Sequence, residues 1–110
     1  MLFRSFAAPG EIRGLRFTGS ETLTWDSLAP AAGTGVTHDV MRGGLDDLPV
    51  GAGPSEVCVD AGITGSSSTD ETVPPASTGF YYLVRAANAC GVGTYGSDTV
   101  GGQRSSAVCP

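Results

Sequence analysis

The side chains able to do bond-making chemistry are few: one histidine, His38, and three cysteines, Cys58, Cys90 and Cys109. A cysteine nucleophile needs a base beside it. His38 stands in Val36–Arg42 (VTHDVMR), at the alternate positions shared with Val36 and Val40. That reads as a core histidine, not as a base. A zinc site takes about four Cys or His ligands, and these four residues show neither CxxC nor HxxxH spacing. Asp46-Asp47, Asp60 and Asp70-Glu71 offer oxygens for calcium but do not follow the spaced DxDxDG loop, and they read as solvated loop acids. Gly91-Val92-Gly93 with Gly96 follows a strand-like run and opens no helix, so it is no dinucleotide loop. The expectation is a protein without cofactor, metal or catalytic centre.

Composition narrows the partners. The chain has 110 residues, the length of one domain. All six basic residues are arginines, against eleven carboxylates, for a net charge of −5. Nucleic-acid affinity comes from clustered positive charge, which is missing, so no nucleic-acid partner is expected. The absence of lysine excludes Schiff bases, a phosphate-loop lysine and lysine isopeptide crosslinks. No apolar run approaches the roughly 18 residues of a membrane span. Seventeen glycines and seven prolines suggest a linker, but 40% hydrophobic content is enough for a thin core.

The elements that would position these residues are short strands. No stretch sustains a 3.6-residue apolar period, and period-two runs alternate with turn residues. Strands are expected near 11–18, 22–27, 36–42, 56–63, 66–71, 80–90 and 104–109. Their inward positions name a core of Leu15, Leu23, Trp25, His38, Val40, Phe80, Tyr82 and Val84, with Met41 outward. Arg42-Gly43-Gly44 reads as a turn, and 91–103 as a long connection carrying Tyr95. Arg85 and Arg42 are placed to pair with Asp39 across neighbouring strands. Seven such strands indicate an all-β, antiparallel, seven-stranded sandwich.

Several of these runs resemble fibronectin type III domains. Val84–Gly91 (VRAANACG), behind an aromatic strand, resembles that family's sixth strand. Trp25 with Leu23 resembles its buried tryptophan, Pro9 and Leu15 its first strand, and His38–Arg42 its third. NACGVGTYG, followed by GGQR and a terminal Cys-Pro, looks like the fibronectin type III-like modules of secreted bacterial proteins. The likeness covers about residues 9–109. It departs from the family at His38, where a tyrosine is usual, and at Phe80, which lacks the hydroxyl of a tyrosine corner. It implies an immunoglobulin-like sandwich with a structural or binding role.

Three cysteines make one bridge and leave one over. In the topology that the resemblance implies, the fourth strand runs parallel to the sixth. Cys58 and Cys90 would then share one end of the sandwich, and Cys109 the other. The expected bridge is Cys58–Cys90, with Cys109 free or intermolecular; Cys90–Cys109 is the alternative. Residues 1–8 are expected to be a linker or contact segment, with Leu2, Phe3 and Phe6 meeting a neighbouring domain or subunit. Met1–Pro9 is no secretion signal, so the chain reads as a mature segment or a piece of a larger protein.

The functional expectation is a non-enzymatic structural or interaction module of a secreted or cell-surface bacterial protein, such as a part of a filament or pilus. Its partner would engage the N-terminal segment or Cys109. The alternative is an adhesive or carbohydrate-binding accessory module of an extracellular enzyme. That module would use Tyr95 and the loops at 29–35 and 91–103, with Asn88 and Gln103 as its amides.

Overall fold

A computed structural model describes residues 11–27, 35–47, 55–74, 78–89, 91–96, 104 and 108–109. These form seven strands: β1 (Arg16–Phe17), β2 (Thr22–Thr24), β3 (Thr37–Gly44), β4 (Val57–Ile63), β5 (Ser67–Thr69), β6 (Phe80–Asn88) and β7 (Gly91–Val92). A single 3-10 turn, Leu45–Asp47, follows β3. The strands make two antiparallel sheets, ordered β1-β2-β5 and β4-β3-β6-β7. Both sheets face one buried cluster of Ile12, Leu23, Trp25, Val36, Val40, Val84 and Ala86, with Val59, Ile63 and Tyr82 packed against it. This is the arrangement of a β-sandwich.

Period-two patterning accounts for the longest pair. β3 and β6 are in register from Thr37↔Ala87 to Gly44↔Phe80. Val40 faces Val84 and His38 faces Ala86, so four inward side chains stack in one layer. Leu23, Trp25, His38, Val40 and Val84 are all buried as expected, and Tyr82 lines the core's margin.

Leu15 is not in the core; it is 37% exposed, and Ile12 is buried in its place. The cause is Gly14, whose φ of 71° turns the chain between them and breaks the alternation. β1 therefore shortens to two residues. Phe80 is only half-buried, and lies under the Arg42 guanidinium, 4.5 Å from its ring centre.

Three element boundaries also differ from expectation. β3 runs on through Gly43 and Gly44, which were expected to turn. Gly43 is there for close approach, since a Cβ on it would meet the Tyr81 ring at 2.4 Å. β6 closes a hairpin straight onto β7, pairing Asn88 with Gly91. The seventh strand is thus Gly91–Val92, and the described residues at 104–109 (Arg104, Val108, Cys109) belong to no strand. The 91–103 segment is not the loop that joins β6 to its neighbour.

The outer face of the four-stranded sheet is covered too. Met41 alternates away from the core, yet it is 0% exposed. Tyr95 and Cys109, also buried, lie outside the core cluster. Arg85, an outward residue between Val84 and Ala86, holds both of them. Its guanidinium sits 5.0 Å from the Tyr95 ring centre and donates to the Cys109 carbonyl. Tyr95 and Cys109, both beyond β7 in sequence, therefore lie over this face.

Candidate functional site

Two places concentrate polar and reactive groups. The first is the covered outer face. Cys58 bonds to Cys109, with Cα atoms 5.0 Å apart. This replaces the expected Cys58–Cys90 pairing. Cys58 is the second residue of β4, not a late one. It stands level with Met41, and Met41 with Leu83 of β6. From Leu83, β6 runs on to Asn88, so Cys58 is not at the end where β6 finishes. Cys90 lies outside the described residues, and by count it is the odd cysteine.

Asp39 organises the strand edge behind the bridge. Arg85 Nε donates to its carboxylate at 2.9 Å, the cross-strand pair expected from the register. The Gly62 N–H donates to its other oxygen at 3.0 Å. The β3–β4 register shifts between His38 and Val40 and again before Met41. Gly62, at φ 68°, takes up the first irregularity, and Asp39 ties it down. Cys109 Sγ reaches 3.4 Å from the Val40 carbonyl beside the second shift. Tyr95, offered as a recognition residue only under the carbohydrate-binding alternative, is 4% exposed with its hydroxyl buried and unpartnered. Burial pushes its pKa up, an effect the Arg85 charge opposes.

The second place is the open side of the sandwich, between the edges β4 and β5. A groove of about 700 Å³ runs there, lined by Val57, Cys58 and Val59 of β4 and by Thr69–Thr72. On its floor Arg42 Nη1 meets Asp70 Oδ2 at 2.7 Å, with both side chains largely buried. Arg42 was expected to pair with Asp39; the opposing sheet supplies Asp70 instead. The Tyr82 hydroxyl donates to the same carboxylate oxygen at 2.7 Å. Burial raises the Asp70 pKa, but the hydrogen bonds from Arg42, Tyr82 and Thr72 outweigh it and hold it at about 2. Burial and the Asp70 carboxylate together push Tyr82 up to about 12. Nearby, the Ser68 hydroxyl, buried on β5, donates to Asp60 across the gap. These acids are engaged in ion pairs and hydrogen bonds between sheets.

His38 is 4% exposed and packs edge-on to Trp25 at 5.2 Å. Its Nδ1–H donates to the Ile63 carbonyl at 3.2 Å, while Nε2 and the Trp25 indole N–H are buried without a partner. Burial lowers its pKa, against the backbone of Ile63 and Gly65 and the Asp39 charge. Among the described residues, no nucleophile is in hydrogen-bonding contact with it.

Among the described residues, no group of three or more His, Cys, Asp or Glu could hold a metal ion. No helix among them is long and apolar enough to cross a membrane. Leu2, Phe3 and Phe6, the segment 1–8 and Gln103 lie outside the described residues, as does most of the 29–35 loop. The groove itself escaped the sequence reading. Its only sequence signal was an arginine at an inward strand position, Arg42, which demands a buried partner.

None of the protein-family models, curated proteins or solved structures compared with this chain matches it.

Proposed function

We propose that this chain is a non-enzymatic, fibronectin type III-like interaction module of an extracellular or cell-surface protein, built to stay folded in an oxidising medium. The observation that carries the reading is the Cys58–Cys109 bridge with Cys109 1% exposed. Such staples suit small domains with thin cores outside reducing compartments. Supporting it, β4 lies two strands from β6 and parallel to it, the relation that the fibronectin resemblance implies for the fourth and sixth strands. The inward histidine and the engaged acids supply no catalytic constellation among the described residues. The adhesive, carbohydrate-binding reading loses its aromatic platform, because Tyr95 is buried.

The test is production of the chain in an oxidising and in a reducing compartment. The module reading expects full bridging and a cooperative melt from the first, and a marked loss of stability in the second. Recovery from the oxidising compartment with Cys58 and Cys109 still as thiols contradicts it.

A further inference from the structure

We infer that the free edge of β4 accepts a strand from a second copy of this chain, supplied by Leu2–Phe6 (LFRSF), so that copies join head to tail. The inference rests on the interaction-module reading and names the partner for it.

Edge length comes first. Among the described residues, β1 and β7 have two residues and β5 three, whereas β4 has seven and pairs only with β3. Very short edges protect a sheet from adding strands; a seven-residue edge does not. Along β4, Val57 is 37% exposed, and Cys58, Ala61 and Gly62 are exposed. The groove beside this edge gives room for alternate side chains of an added strand, with Val57 and Val59 as its apolar wall.

The position of the donor comes second. The described chain begins at Glu11, whose carboxylate lies against Gly96, just past β7. β7 and β4 are the two opposite edges of the four-stranded sheet, separated by three strand spacings, or about 14 Å. The described chain therefore begins on the side away from the acceptor. A donor on one edge and an acceptor on the other make a heterologous contact, which repeats from copy to copy.

Charge and pattern come third. Residues 1–10 carry one charge, Arg4, so the rest of the chain has −5 − 1 = −6. The groove presents Glu71 at its rim. In an added strand Leu2, Arg4 and Phe6 share one face, which suits an apolar wall with an acidic rim. A strand of five residues buries little area, so the association is weak and concentration-dependent.

The test is sedimentation velocity on the oxidised chain with Cys90 alkylated, which removes covalent dimers. Two variants separate the halves of the contact. A chain starting at Pro9 keeps only the acceptor, and Val57→Lys keeps only the donor. The full chain is expected to form a concentration-dependent series beyond the dimer. Each variant alone should be monomeric, and their mixture should stop at a heterodimer. A peptide of residues 1–8 should slow amide exchange along β4 and dissolve the oligomers, a readout that does not depend on how Val57→Lys folds. The proposal is overturned by a full chain that is monomeric at every concentration, or by a Pro9-start chain that assembles as well as the full one. It is also overturned if deletion of residues 1–8 speeds β4 exchange in a monomer, since the segment would then cover its own edge. A monomer with the Cys58–Cys109 bridge intact removes the self-assembly and leaves the module reading standing.

Discussion

His38 shows how a single residue couples this core to pH. Its neutral ring donates through Nδ1 to Ile63, and nothing donates to the unprotonated Nε2. A second proton there would be buried without an acceptor beside Trp25, which is why its pKa falls. With the folded pKa below the unfolded value of about 6.5, the unfolded chain binds more protons as pH drops. Stability is therefore complete above about pH 6.5 and declines as pH falls through the lower folded value. Thermal melts of His38→Phe should show a flatter profile across this window, and an unchanged slope would contradict the assignment. Asp70 adds a second, more acidic loss. Its folded pKa of about 2 lies below the usual 3.8, so the stability it contributes is lost between those values. The pair sits at an open groove, so this amounts to roughly 1–2 kcal/mol. The inward place of His38 was legible in VTHDVMR, because alternation alone assigns a face. The Arg42–Asp70 partnership was not, because it depends on which strand of the other sheet lies opposite.

At the scale of elements, β3 carries the most information. It pairs on both sides, lends Val40 and His38 to the core, and bends through two register shifts against β4. The strand survives its Gly43-Gly44 end because Tyr81 fills the space a side chain would take. Gly43→Ala should cost about 1–3 kcal/mol by overpacking, read from urea denaturation midpoints. In a Tyr81→Ser background the same change should cost much less, giving a coupling energy of the double-mutant kind. Equal costs in both backgrounds would mean that Gly43 acts through the backbone alone. Glycine pairs read as turns from sequence, since positive φ is their commonest use, and a glycine kept for a neighbouring ring leaves no local trace. For the same reason the β6–β7 hairpin was missed: Asn88 to Gly91 looked like the end of a strand entering a long loop. Six of the seven strands and the antiparallel two-sheet sandwich were nevertheless legible, because period-two runs and turn residues are local signals.

For the whole molecule, Tyr95 and Cys109 lie over the outer face of the four-stranded sheet, held by Arg85 and by the bridge. The bridge joins residues 51 apart in sequence, which in the chain-entropy model is worth about 4 kcal/mol. Cys109→Ala should lower the unfolding free energy by an amount of that order and expose Met41, seen as faster oxidation of its thioether. Loss of stability without faster Met41 oxidation would mean that Met41 stays covered without the bridge. The number of cysteines announced one bridge, but the pairing rested on the implied topology placing Cys58 at the end it would share with Cys90. Cys58 is instead the second residue of β4, level with Leu83 and away from the end of β6. The most direct measurement is peptide mapping under non-reducing conditions. Recovery of Cys58 linked to Cys109, with Cys90 outside that bridge, is the predicted result. Recovery of Cys58 linked to Cys90 would contradict the strapped face and the account built on it.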